Sequence, residues 1–367
     1  MRRTQAQRRI TIEATLVQLL ASGFVLNLAL PGFANPSFAN PSFTNNLNAD
    51  LNTQLLIRQY NGTQSAERIE ADRLFRQGHQ QEQAGFSDKA IDSWLQALKL
   101  YRTIKEIEAQ GSTYDALGRV YAQIGKPVEA EDALRRRLAI ARDLKDFKGQ
   151  VYGFNNLGTL LLQRASLQEA EKTFADGLKV AQDIRFDAGT GLSLSNLGLV
   201  AYNLGRYDRA IALYEQAKVL RGQAGDPGEA TTLSNLGDAY RAVRDYRSAV
   251  VSYRQALFVS RNSVDRPGEF RALGGLTQAF YGLGQNANAS ETLDQRLALA
   301  LDQNDSRQVL STLKDLAKYY RAKGDLIAAD GYYQQALAVA QTINDTQEEQ
   351  KLLTEIGVLR SRKFTQP

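Results

Sequence analysis

The chain has no cysteine, and only one methionine, one histidine and one tryptophan in 367 residues. Without thiols there are no disulfides, no thiolate catalysis and no zinc sites of the Cys/His kind. The single imidazole, His79, has no second histidine to work with, and it reads as an ordinary surface residue. Catalysis needs a base, a nucleophile and an orienting group to meet. Here the acidic residues recur at helix caps and exposed helix faces with no repeated pairing, and the glycines sit at spaced positions and form no phosphate loop. The expectation is a chain that is not an enzyme and holds no cofactor and no metal.

Net charge gives a second exclusion. The formal charge of +5 and pI near 9.2 would ordinarily raise nucleic acid as a partner. Four of the basic residues, Arg2, Arg3, Arg8 and Arg9, crowd the N-terminus, where Glu13 is the only acid before residue 35. Without residues 1–34 the balance is 41 basic to 39 acidic residues, so nucleic acid is not an expected partner. The four arginines precede an apolar run, ATLVQLLASGFVLNLAL (14–30), followed by Gly32 and Ala34 at the spacing of an export-signal cleavage site. A second such site follows Ala39. Residues 1–34 are therefore expected to be a signal peptide, and the protein to be exported, periplasmic or secreted, with no stable membrane insertion once the signal is cut. The alternative is a membrane tether through an uncleaved signal anchor, for which a run of 17 residues broken by Gln18, Ser22 and Asn27 is short. Residues 35–64, with FANPSFANPSF at their head, read as a linker.

From residue 65 the sequence becomes periodic. LSNLG occurs at 194–198 and again at 233–237, and its second Leu belongs to a series: Gln77, Leu117, Leu157, Leu197, Leu236, Leu276, Leu316 and Ile356. The steps are 40 residues except for one of 39. One position after this anchor come Gly78, Gly118, Gly158, Gly198, Gly237, Thr277, Ala317 and Gly357. Alanine recurs 13 positions after it (Ala90, Ala130, Ala170, Ala210, Ala249, Ala289, Ala329), and a large apolar residue 17 after it (Trp94, Leu134, Phe174, Tyr214, Tyr253, Leu293, Tyr333). Each repeat holds two helical stretches parted by a turn eight positions after the anchor, at Gly85, Gly125, Ala165, Gly205, Arg244, Gly284 and Gly324. In most repeats an acid lies ten or eleven residues before the anchor, where the first helix would start: Glu106, Asp146, Asp187, Asp226, Asp265, Asp305 and Asp345. In DPGE (226–229) Asp226 is placed to cap, Pro227 to open the helix and Glu229 to close a capping box.

A glycine inside a helix costs about 1 kcal/mol relative to alanine, so a recurring one needs compensation, and close approach of the partner helix supplies it. The small residues let paired helices touch, and the large residue fills the space beside them. Trp94, in register with the others, is therefore core. Two positions break the pattern. Arg137 and Arg296 stand where a small residue recurs, which predicts looser packing or arginine stems that run outward.

These motifs resemble the tetratricopeptide repeat family, whose pattern of Leu-Gly-x2-Tyr followed by Ala-x3-Phe is matched best in LSNLGLVAYNLGRYDRAIALYEQA (194–217) and LSNLGDAYRAVRDYRSAVVSYRQA (233–256). The long period resembles the kinesin light chain and Pins-type subgroup. Against the common repeat of about 34 residues, it adds about 9 Å of helix per repeat, and the early caps place much of that at the start of the first helix. The resemblance implies an all-α fold: a right-handed α-solenoid of helix-turn-helix repeats over residues 65–367, about seven of them, closed by a C-terminal capping helix. It also implies that the first helices line a concave groove that takes extended peptides.

In register, the groove candidates are Asn155, Asn156, Ser195, Asn196, Ser234 and Asn235, around which stand Arg119, Thr159, Tyr202, Asp238, Arg241, Arg271, Tyr281, Lys314, Lys318 and Arg321. An amide offers both a donor and an acceptor, so a ladder of asparagines can pair with a peptide main chain; the same amides can equally bridge adjacent helices. The basic character toward the C-terminal repeats points to an acidic segment there. The resulting expectation is a non-catalytic adaptor in the bacterial envelope that holds a protein or peptide partner. The alternatives are a self-associating or spacer array, and a regulatory subunit of an output protein on another chain.

Overall fold

The computed structural model describes residues 65–363, and all regular structure among them is α-helical. The expected leader and linker, and the last four residues, lie outside this range. Nine helices form an N-terminal body that ends at Val243: α1 (Ala66–Gln83), α2 (Ser87–Thr103), α3 (Ile107–Gln123), α4 (Pro127–Asp143), α5 (Phe147–Gln163), α6 (Leu167–Asp183), α7 (Asp187–Asn203), α8 (Tyr207–Ala224) and α9 (Glu229–Ala242). Six form a C-terminal body from Arg244 onward: α10 (Tyr246–Asn262), α11 (Arg266–Gly282), α12 (Asn286–Asp302), α13 (Ser306–Ala322), α14 (Leu326–Thr342) and α15 (Thr346–Lys363). Odd-numbered helices are the first of each repeat and even-numbered ones the second. Each body is an α-solenoid of consecutively packed helices.

The period follows from the turns. Most helices have 17 residues and are separated by three, so two helices and two turns make 40. One residue of each turn takes a left-handed conformation, the middle one of three except at Gly225, which opens the four-residue turn before α9. Between first and second helices it is Gly85, Gly125, Ala165, Gly205, Arg244, Gly284 or Gly324; between second and first helices it is Lys105, Lys145, Arg185, Gly225, Val264, Asn304 or Asn344. Glycine has no steric penalty there and asparagine a small one, while Val264, a β-branched residue at φ 56°, is the most strained of the set. Both helices of a repeat such as α3 and α4 have 17 residues.

Capping is mostly as expected, since Asp146, Asp265, Asp305 and Asp345 each accept from a backbone N–H in the following turn. The DPGE segment departs from the expectation. Here α9 starts only at Glu229, and the Asp226 carboxylate takes a bidentate pair from Arg221 at 3.0 and 3.1 Å as well as the Gly228 N–H. Asp187 lies inside α7, whose N-cap is Phe186. Arg221 is 1% exposed and also donates to Thr232. Burying it required two glycines. A methyl group on Gly191 would lie 2.7 Å from the Arg221 Cγ, and one on Gly228 would overlap its guanidinium.

Arg137 and Arg296 do not run outward into solvent, their side chains being 11% and 17% exposed. Arg137 pairs with Asp146 at 3.0 Å and lies against Gly111 and Gly149, and Arg296 reaches Asp315 and Gln308. His79 is not a plain surface residue either. Its ring is edge-on to Phe75 and Trp94, with Glu82 beside Nδ1 at 3.5 Å. Trp94 is fully buried and donates to the Phe75 carbonyl.

The glycines after the first four anchors are contact surfaces for the large residue of the next helix. A Cβ on Gly118 would meet Leu134 at 2.7 Å, on Gly158 it would meet Phe174 at 2.5 Å, and on Gly198 it would meet Tyr214 at 2.7 Å; Gly78 is covered in the same way by Trp94. In the C-terminal body Thr277 replaces the glycine, and its hydroxyl pairs with that of Thr292 at 2.9 Å. Gly357, in α15, has nothing within 4 Å. One substitution should therefore act with opposite signs at two places. Gly198→Ala forces the Tyr214 ring aside and should cost about 1–3 kcal/mol, whereas Gly357→Ala should add about 1 kcal/mol through helix propensity. Urea unfolding followed by circular dichroism checks both, and a shift in the same direction for the two would refute this account of the glycines.

Candidate functional site

The exposed stripe of the first helices is where the sequence places a site, and the structure divides the candidates into two groups. The first is a buried polar ladder. Asn155, 2% exposed, donates to the Val151 carbonyl at 2.8 Å and to Ser193 Oγ at 2.9 Å, and accepts from the Asn196 amide at 2.8 Å. Thr159 returns its hydroxyl to the Asn155 carbonyl, Ser195 pairs with Thr232 at 3.0 Å, and Asn156 reaches Asp115 at 2.9 Å. Ser234 and Asn235 are buried. These bonds tie α3 to α5, α5 to α7 and α7 to α9. At this spacing the Asn155, Asn156 and Asn196 amides each meet a polar group of the neighbouring repeat. Only Asn156 remains part-exposed among the asparagines named.

The second group is charged or aromatic, and most of its members have partners within the chain. Arg119 lies between Glu82 at 3.6 Å and Asp115 at 3.4 Å. Asp238 and Arg241 are 3.6 Å apart. In the C-terminal body Lys314 pairs with Glu348, Arg321 with Glu355, and Lys318 with Asp315. The cations that suggested an acidic ligand are thus held by acids that sequence inspection did not align with them. Hydrogen bonds from Lys314 and Lys351 hold the Glu348 carboxyl below its ordinary pKa. Tyr281 stacks on Tyr319 with ring centroids 6.3 Å apart, and burial, helped by Asp315, pushes its phenol up to about 12. Arg271 is half-buried on the same helix. Tyr202 faces Tyr207, 5.3 Å between rings.

A search for polar side chains does not single out Tyr152, Leu192 and Leu199. They occupy the same stripe positions on α5 and α7 and are part-exposed. The signal was available as the missing charge of those helices. No group of three or more His, Cys, Asp or Glu residues that could hold a metal occurs among the described residues, and no described helix is long and apolar enough to cross a membrane.

The ladder and the exposed charges should respond differently to truncation. Asn155→Ala leaves Ser193 and Asn196 without a partner in a buried setting and should cost about 1–3 kcal/mol. Lys318→Ala, at a 57% exposed side chain, should stay within about 0.5 kcal/mol. Chemical denaturation of the two variants tests this; equal effects would mean that the ladder does not brace the helices.

Family models described as tetratricopeptide repeat match residues 113–146, 151–218, 190–262 and 309–346. No curated protein matches the sequence closely enough to count as a relative. Solved structures share the fold at low identity. Apo RapI aligns at 16% identity and a TM-score of 0.55, over 75% of this chain and 99% of its own. A Rap protein complexed with Competence and Sporulation Factor aligns at 15% and 0.52, over 77% and 78%. A signal transduction ATPase with a tetratricopeptide repeat sensor from Pyrococcus horikoshii aligns at 17% and 0.58, over 78% and 43%. With the repeat register, the paired-helix architecture and these matches in agreement, the chain belongs to the tetratricopeptide repeat family, whose solenoids serve as protein-interaction scaffolds.

Proposed function

We propose that the protein is a non-catalytic adaptor of the bacterial envelope that binds an extended peptide or a segment of a partner protein along the face of its first helices. The observation that carries this reading is the regular part-exposed stripe on successive first helices, built on a ladder that fixes their spacing. A rigid, repeating face of this kind suits a partner that is itself extended and repeating, as a peptide main chain is. The structural neighbour complexed with Competence and Sporulation Factor supports the reading through its fold. An acidic segment at the C-terminal repeats would have to compete with Glu348, Glu355 and Asp315 for their cations, so charge attraction is the lesser part of the proposed affinity.

Selection of a random 12-residue peptide display library against the full chain should return a recurrent motif. Its binding should fall about tenfold or more for Asn156→Ala with Tyr202→Ala, as expected for residues central to an interface, and should be unchanged for Val128→Ala, exposed in the first turn of the second helix α4. Failure to enrich a motif, or equal binding by all variants, would sink the reading. Export rests on the N-terminal arginines, the apolar run and the small residues that follow. N-terminal sequencing of protein from an envelope fraction should begin at Asn35 or Asn40, whereas an intact Met1 in that fraction would instead support the uncleaved tether.

A further inference from the structure

The outer side of the second helix α10 has a pattern that the repeat does not require. Arg247, Val251, Arg254, Phe258 and Arg261 follow one another at intervals of four and three residues, so they share one face of the helix, and all five are exposed. The opposite side, with Ala249, Tyr253, Ala256 and Ser260, is buried. Phe258 is 68% exposed and Val251 56%, so most of their apolar area is left to solvent. In register, the same five positions hold Ala287, Glu291, Asp294, Ala298 and Leu301 on α12, and no charge at all on α14. The stripe is therefore peculiar to α10 within the C-terminal body.

Its charges are also little used. No acidic residue occurs in α10. Arg254 lies over the Phe280 ring, and neither it nor Arg247 has an ion-pair partner among the described residues. Asp245, beside Arg247, is engaged as the helix cap and accepts from the Ser248 N–H. Only Arg261 is held, by Glu269 at 3.6 Å and Gln295 at 3.2 Å.

The spacing selects the shape of what fits. Arginines seven residues apart lie about 10.5 Å apart along the helix axis, and Val251 and Phe258 repeat at the same interval. A second helix alongside presents its own residues at that interval, as in a heptad seam. A strand brings same-face residues round about every 6.8 Å and falls out of step. A flat anionic membrane surface would also have to meet the exposed Glu291 on α12, the next second helix, and would be repelled there. Guanidinium groups pair best with carboxylates, through two parallel hydrogen bonds.

We propose that the outer stripe of α10 docks an amphipathic helix of a partner protein, one with carboxylates seven residues apart and apolar side chains between them. The carboxylates meet Arg247, Arg254 and Arg261, and the apolar side chains cover Val251 and Phe258. Only Arg261 exchanges an existing ion pair. This surface lies on a second helix, away from the stripe of the first helices, and it does not depend on the adaptor reading.

A display library of helices of about 18 residues, five turns, tests this against the full chain. The positions of one helical face are randomised among Ala, Leu, Glu and Lys. Selected helices should carry Glu at seven-residue spacing with Leu between. One of them, synthesised with a fluorescein label and followed by anisotropy, should bind about tenfold or more weakly to Arg254→Gln with Phe258→Ser, as for residues central to an interface. It should bind unchanged to Ile327→Ser, which removes an equally exposed apolar side chain from α14. Circular dichroism checks that the double variant is folded, and Arg247→Gln alone is the second variant if it is not. Enrichment of Lys, no enrichment, or binding that these substitutions leave intact would overturn the proposal. Two other results would overturn it by naming a different occupant. One is sedimentation with vesicles of equimolar phosphatidylglycerol and phosphatidylcholine that the double variant abolishes, which would make it a membrane. The other is a concentration-dependent dimer lost in the same variant, which would make it a second copy.

Discussion

The contact between a backbone-sized residue on one helix and a large side chain on the next sets everything else in this array. Where Gly118, Gly158 and Gly198 meet Leu134, Phe174 and Tyr214, the side chain rests on the partner helix itself, with no room for a methyl group between. Packing of this closeness fixes the distance between the paired helices. It also fixes the register, because a shift of one residue would bring a Cβ under the ring. The left-handed turn residues then return the chain at a constant interval, and the same contact recurs about every 40 residues.

Close approach has a second consequence, which decides the fate of the asparagines. With the spacing of successive first helices fixed, Asn155 and Asn196 lie within reach of each other, and a buried amide without a partner costs more than a satisfied one returns. The Asn196 amide therefore donates to the Asn155 side-chain oxygen, and the Asn155 amide to Ser193, each across to the neighbouring repeat. The arginines obey the same rule. Arg137, Arg221 and Arg296 each carry a charge into the packed region, each finds an acid, and two of them lie against glycines that leave them space. Gly111 and Gly191 share one register position and Gly149 and Gly228 another, and at each the missing side chain leaves room for Arg137 or Arg221.

The fold was almost wholly legible in the sequence, because its cause is periodic. Leu197 and Gly198 recur with their equivalents, and any periodic packing demand leaves a periodic trace. The candidate site was less legible. Position along the helix says that Asn155 and Asn196 lie toward the face, but not that a hydroxyl one repeat away claims the Asn155 amide. The pairings of Lys314 with Glu348 and Arg321 with Glu355 join residues 34 apart rather than 40, so they fall out of register and a repeat alignment hides them. DPGE misled for a related reason: local capping chemistry was read correctly, but a buried arginine five residues upstream competes for the same carboxylate.

What remains available for recognition is therefore what internal satisfaction leaves over. On α3, α9 and α13 the remainder is charge already half-neutralised by neighbours, which an incoming ligand can use only by breaking an existing pair. On α5 and α7 it is mostly apolar area, which can be covered without breaking a pair, beside one part-exposed amide, Asn156, that already donates to Asp115. Binding free energy is a difference between bound and unbound states, so the face that gives up least on binding can contribute most, even though it is the least conspicuous in the sequence. The middle of the N-terminal body, where charge is missing, is by this argument the part of the array best suited to hold a partner.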